Sequence, residues 1–322
     1  MSAELHPDRN LAMELVRATE AAAIRSFPFI GKGDKNAADG AAVDAMRLFL
    51  GTVNFEGKVV IGEGEKDDAP MLFNGEILGT GNGPRVDIAV DPIDGTSLTA
   101  AGRLNAISVI AASDRGSMLD ASSVFKMNKF VVGAPGVGVC DITMSIKENL
   151  REFAKAAKKP VDEILVAVLD REYNQQVIDE VRSAGAATRL LRDGDVAGGI
   201  QAARSESRID MCIGIGGSPE GVITAAGVSA LGGQIQGILH PLSEDEKTRG
   251  LAAGLKFDHV YQMRDMVDSD NTFFVATGVT DGPLVSGVRK RGDLVFTESV
   301  VVRGKTGTVR KVFAEYQASR WL

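Results

Sequence analysis

Val86-Asp87-Ile88-Ala89-Val90-Asp91-Pro92-Ile93-Asp94-Gly95-Thr96 is the stretch from which the rest of the chain can be read. Its first residues are β-prone and apolar, and its last six form a turn carrying two acids. A buried strand therefore hands over to carboxylates at its carboxyl end, where α/β proteins gather their ligands. Pro92 stiffens the turn, so Asp91 and Asp94 face one point with little entropy left to lose. Gly95 and Thr96 are expected to open a helix whose N–H groups and dipole receive a phosphate oxygen. The hexapeptide thus offers two hard oxygen ligands for Mg²⁺ or Mn²⁺, an anion seat and a hydroxyl.

Working outward, Ile61-Gly62-Glu63-Gly64-Glu65-Lys66-Asp67 also follows a β-rich run. Its carboxylates repel one another unless a cation or solvent separates them, and the glycines let the backbone bend more than one of them into a single site. Gly214-Ile215-Gly216-Gly217-Ser218-Pro219-Glu220 has the small residues and early proline of a phosphate-friendly helix start. Asp193-Gly194-Asp195 places two acids on a tight turn, suited to accepting hydrogen bonds from sugar hydroxyls. The three histidines, His6, His240 and His259, sit in uninformative settings, so a zinc site or histidine base has little to stand on. A P-loop, a GxSxG elbow and a complete dinucleotide fingerprint are all missing.

The 322 residues are 44% apolar and 25% charged, an ordinary globular balance. A net charge of −7 without a basic stripe argues against nucleic acid. An anionic substrate must then find its positive charge locally, which metal ions provide. No long apolar run predicts a membrane span, the charged start lacks the apolar region of a secretory signal, and Cys140 and Cys212 read as buried reduced thiols. The expectation is a cytoplasmic enzyme.

Helical spacing predicts helices over 9–27 and 37–50, and β-rich runs predict strands at 58–62, 86–90, 105–112 and 125–133. Beyond them, strands at 163–169, 188–192 and 209–215 alternate with helices at 174–184, from 196 and at 219–230. That alternation predicts a parallel α/β layer, and 271–278 and 294–302 add further strands. The polar helix 147–161 marks the expected boundary between an N-terminal α+β metal-binding lobe, 1–155, and a C-terminal α/β substrate-binding lobe, 156–322.

Asp-Pro-Ile-Asp-Gly-Thr resembles the hallmark of the metal-dependent, lithium-sensitive phosphatases that include inositol monophosphatases and fructose-1,6-bisphosphatases. The blocks GDKNAADGAAVDAMR, VVIGEGEKDDAPML, RDGDVAGGI, GIGGSPEGVI and NTFFVATGVTDGPL narrow the resemblance to class II, GlpX-type fructose-1,6-bisphosphatases, from about residue 9 to about residue 312. The resemblance implies an α/β sandwich of two layered lobes and hydrolysis of the 1-phosphate of fructose 1,6-bisphosphate, a gluconeogenic step. It implies two or more Mg²⁺ or Mn²⁺ ions per site. Asp39 and Glu63 match the ligands of one metal, and Asp91, Asp94 and Glu220 those of a second. Asp67 and Thr96 match the pair that orients the attacking water. Lys35 adds positive charge, Gly95, Thr96 and Gly217 face the phosphoryl group, and Asp193 and Asp195 hold sugar hydroxyls. A homo-oligomer, dimer or tetramer, is also implied.

Two departures stand out. Where the family carries a basic segment for the distal phosphate, this chain has Arg171-Glu172-Tyr173-Asn174, with Tyr173 in place of an arginine. Phe125 stands where a substrate-binding tyrosine is expected. An uncompensated loss of an arginine from a phosphate site costs on the order of 2–5 kcal/mol. The same chemistry on another sugar or inositol phosphate, such as sedoheptulose 1,7-bisphosphate, is therefore the alternative expectation.

Overall fold

The computed structural model describes residues 11–64 and 71–321. Two helices open it, α1 (Ala12–Ser26) and α2 (Lys35–Leu50), the second capped by Asp34, whose carboxylate accepts from Ala37 N at 2.9 Å. Then follow β1 (Glu56–Ile61), β2 (Ile77–Leu78), β3 (Arg85–Asp94), the short α3 (Thr96–Ala100), β4 (Ile107–Asp114) and β5 (Lys126–Val132). The middle of the chain carries α4 (Ile146–Ala157), β6 (Leu165–Leu169), α5 (Gln175–Ser183), β7 (Ala187–Leu191), α6 (Val196–Ala203), β8 (Met211–Gly217) and α7 (Ser218–Leu231). It closes with β9 (Gln234–Leu239), α8 (Glu244–Ala252), β10 (Tyr261–Gln262), α9 (Met263–Met266), β11 (Phe273–Gly278), β12 (Arg289–Arg291), β13 (Leu294–Arg303) and β14 (Thr308–Gln317).

The strands form two sheets. The first runs β12-β13-β11-β4-β3-β1-β2, with β14 also paired to β13, and the second runs β10-β9-β5-β8-β6-β7. The chain leaves the first sheet after β4 and returns to it only at β11. The alternation of strands and helices predicted a parallel layer, and the three strands that carried the prediction are parallel, within a sheet that is mixed as a whole. β6 pairs in parallel with β7 and β8, but β5 is inserted antiparallel between β8 and β9. A strand from earlier in the chain fills the position that a further βα unit would occupy, so the sheet is mixed.

Side-chain alternation along these strands sorts the apolar residues into three cores. Ile88, Val90, Ile110 and Val275 point to the side covered by α1 and α2. Their neighbours Ala89, Val109 and Phe274 point inward, as do Val131, Ala167 and Cys212 of the second sheet, enclosing α6 and α7. Phe130, Val166, Val168 and Ile213 face outward beneath α4 and α5. The result is a layered α/β sandwich, helices–sheet–helices–sheet–helices. The central α7 packs against strands of both sheets and is apolar nearly all round, as a helix with no solvent face should be. Cys140 and Cys212 are buried and unbridged.

Candidate active site

A cavity of about 530 Å³ opens where the carboxyl ends of β1 and β3 meet those of β6, β7 and β8. Both acidic motifs reach it across irregular pairing. Asp91 lies opposite Val109 but Asp94 opposite Ile107, one residue more on β3 than on β4. The pairing of β1 with β3 also shifts between Val59 and Ile61, just before Gly62 and Glu63. Such bulges bend a strand end and re-aim its side chains. Asp91 Oδ1 accepts from Ile93 N at 3.0 Å, closing the turn, and Thr96 Oγ1 donates to the Ile93 carbonyl at 3.1 Å.

Asp39, Glu63, Asp91, Asp94 and Glu220 all line this cavity. Burial, followed by the charges of Asp39 and Glu220, pushes the Glu63 carboxyl up to about 8. Burial, then the neighbouring acids, also raises Asp91 and Asp94, and burial raises Asp39 and Glu220. Asp94 Oδ2 and Glu220 Oε2 are buried without a hydrogen-bond partner among the described residues. An oxygen-only set of mutually repelling acids with orphaned acceptors fits hard divalent cations. Among the described residues no three His, Cys, Asp or Glu already form a metal cage. Asp67 lies outside the described residues.

Close approach of the acids explains two glycines. A Cβ on Gly217 would stand 1.7 Å from Glu220 Oε2, and one on Gly194 would stand 2.7 Å from Asp94 Oδ1. Gly194 also has φ +64°, a left-handed conformation that glycine adopts without strain.

The remaining predicted residues divide. Lys35, Gly95, Thr96, Arg171, Tyr173, Asp193, Asp195 and Gly217 line the same cavity. Asp193 is committed elsewhere: its Oδ1 takes Arg171 Nη2 at 2.8 Å and its Oδ2 takes Ser97 N at 3.3 Å. Hence one N–H of the five-residue α3 is already in use. Arg171 also donates to the carbonyls of Asp170 and Arg192, at 3.2 and 2.5 Å. Phe125 does not line the cavity; it is 61% exposed, and its backbone N–H is bound to Glu246 Oε1 at 2.5 Å.

Two lysines of β5 escaped sequence reasoning. Lys126 lines the cavity, its Nζ 5.7 Å from the centre of the Tyr173 ring. Lys129 is buried, with Nζ 2.6 Å from Asp195 Oδ2 and 2.9 Å from the Gly217 carbonyl. Burial alone would lower its pKa, but Asp195 and then Glu220 outweigh that and raise it. The signal for Lys129 was available: strand alternation puts it on the same face as apolar Met127 and Val131.

Carboxylates, cations and a phenol lining one cavity suit the hydrolysis of a phosphate ester. Comparison with known proteins narrows that class. A family described as "Bacterial fructose-1,6-bisphosphatase, glpX-encoded" matches residues 9–316. "Fructose-1,6-bisphosphatase 1 class 2" of Escherichia coli K12 is 43% identical over 317 residues, 94% of each chain. "Fructose-1,6-bisphosphatase class 2" of Shigella flexneri matches to the same extent. This chain therefore belongs to the bacterial, glpX-encoded fructose-1,6-bisphosphatase family, whose members are phosphoric monoester hydrolases. A solved inositol monophosphatase from Anabaena covers 77% of this chain and 97% of its own at 13% identity, with a TM-score of 0.34, a likeness too slight to argue from. Among the described residues no helix is long and apolar enough to cross a membrane.

Proposed function

We propose that the chain hydrolyses the 1-phosphate of D-fructose 1,6-bisphosphate, giving fructose 6-phosphate and inorganic phosphate. The observation that carries this reading is the single cavity in which the acids and the cations Lys35, Lys126 and Arg171 face one substrate-sized space. Asp39 and Glu63, with Asp91, Asp94 and Glu220, would hold two or more Mg²⁺ or Mn²⁺ ions. When bound, such ions neutralise phosphoryl oxygens and acidify water.

The chain's own groups do the rest. The Thr96 hydroxyl spends its proton on the Ile93 carbonyl, leaving lone pairs to accept from an attacking water. Asp67, in the matching motif, is assigned to the same water. Gly95 and Gly217 allow the backbone to come close to the phosphoryl group. Asp195 keeps Oδ1 free of hydrogen bonds among the described residues, as an acceptor for a sugar hydroxyl. Asp193 orients Arg171 and α3 rather than meeting the sugar with a free oxygen.

The distal phosphate needs a cation that is not already committed. Arg171 already has its charge paired with Asp193 and also donates to two carbonyls, whereas Lys126 has Tyr173 beside it and no ion pair among the described residues. Lys126 thus supplies the charge that Tyr173 lacks, and the 43% identity to class 2 fructose-1,6-bisphosphatases disfavours sedoheptulose bisphosphate or an inositol phosphate as the main substrate. The reading extends to a homo-oligomeric, lithium-sensitive enzyme acting in gluconeogenesis in the cytoplasm.

Phosphate release from fructose 1,6-bisphosphate by purified protein, with Mg²⁺ or Mn²⁺ against a chelator, tests the reaction. Metal-dependent turnover is expected, with the KM of Lys126→Met raised tenfold or more. Turnover on other phosphate esters without turnover on this one would refute the substrate, and turnover surviving exhaustive chelation would refute the metals.

A further inference from the structure

Among the described residues, Lys129 is the one buried ammonium, and it touches two substrate-facing loops at once. Its side chain is 6% exposed, and that of Asp195, its partner at 2.6 Å, 8%. The second bond, 2.9 Å to the Gly217 carbonyl, reaches the junction of β8 and α7, where Glu220 begins its turn. Between these contacts the backbone passes so closely that a Cβ on Gly216 would lie 2.1 Å from Asp195 Oδ2 and 2.9 Å from Lys129 Nζ. The space is built for this ion pair and for nothing larger.

The charges explain why a cation stands there. Asp195 lies close enough to Asp94 for the two acids to repel one another, and Asp94 also feels Glu220. Without the ammonium, the Asp195 carboxylate would turn away from its neighbours and into the cavity water. With it, Oδ2 is fixed and Oδ1 is left for a ligand.

We propose that Lys129 is a positioning residue for the sugar: its ammonium locks the β7–α6 turn to the β8–α7 junction and holds Asp195 with one oxygen presented to a substrate hydroxyl. The inference rests on the reading of Asp195 as the acceptor of a sugar hydroxyl. It predicts that Lys129 acts on sugar binding through Asp195 rather than on its own.

The test is a double-mutant cycle on the intact protein with Lys129→Met, Asp195→Asn and the two combined. Each is assayed for KM and kcat on fructose 1,6-bisphosphate and, by calorimetry, for the Kd of fructose 6-phosphate. KM and Kd should rise about tenfold or more in each single variant and no further in the double variant, with kcat falling by a smaller factor. Lys129→Met leaves Asp195 as an unpaired buried charge and can fail to fold. The double variant removes that charge, so comparing it with Asp195→Asn alone still decides: equal KM and Kd support the proposal. Losses that multiply in the double variant, or a fall in kcat with KM and Kd unmoved, would overturn it. If Asp195→Asn itself leaves KM and Kd unchanged, the sugar reading of Asp195 has failed, which is a separate result.

Discussion

Replacing Gly217 by alanine isolates one contact of the active site. Gly217 sits at φ −72° and ψ 139°, a conformation any residue adopts, so the backbone does not object. Only the new methyl does, standing 1.7 Å from Glu220 Oε2, 2.3 Å from Cδ and 2.6 Å from Oε1. Restoring a tolerable contact requires the carboxylate to retreat by more than ~1 Å, since non-bonded carbon and oxygen need about 3 Å or more. A misplacement of that size in a reacting assembly costs on the order of 10²-fold in rate, or about 2.7 kcal/mol of barrier. Folding should not suffer, because glycine-to-alanine changes at permissive positions stabilise by about 0.4–1 kcal/mol through the unfolded chain. Steady-state phosphate release and thermal denaturation, run on the same preparation, read the two effects apart. We expect kcat/KM down about a hundredfold with the melting temperature unchanged or slightly raised. A kcat/KM within threefold of the parent would show that the seat of Glu220 against Gly217 is not part of the machinery.

Thr96→Ala should lower kcat by on the order of 10²-fold or more, the usual contribution of a positioned proton acceptor, with KM little changed; an unaltered kcat would remove Thr96 from the water's path. The raised acids give the metal-free protein a pH dependence of definite sign. Glu63, lifted to about 8, contributes stability that is fully present below its ordinary value of 4.5 and is lost as pH rises through about 8. Melting temperatures of chelated protein should therefore fall between pH 6 and 9, and added Mn²⁺ should raise them more at pH 8 than at pH 6, because binding displaces protons. A flat profile would argue against the crowding of the acids. Far from the site, Thr297 Oγ1 donates to buried Glu20 Oε1 at 2.7 Å. Thr297→Val should lower unfolding free energy by about 1–3 kcal/mol in denaturant titration with kinetics unaltered.

The acids were legible because each belongs to a short motif at a strand end, where local chemistry is enough. Asp91, Asp94, Glu63 and Glu220 carry their signals in neighbouring glycines and prolines, and the cavity gathers them together with Asp39. Phe125 does not line the cavity. The cation that enters the cavity is the next residue, Lys126, and no motif separated the two. Lys129 went unread because a lysine in a strand looks like a surface residue until its apolar neighbours Met127 and Val131 are seen to face the core.

By itself the sequence determined the elements and their chemistry: which runs become strands, where helices start, and which strand ends carry acids. These follow from side-chain periodicity and turn stereochemistry, which act over a few residues. Only the tertiary structure decided that β11–β14 rejoin the first sheet, that β5 enters the second antiparallel, and that Asp195 meets Lys129. Those pairings join residues tens of positions or more apart, and the core and hydrogen-bond partners that select them exist only once both sheets have closed on α7.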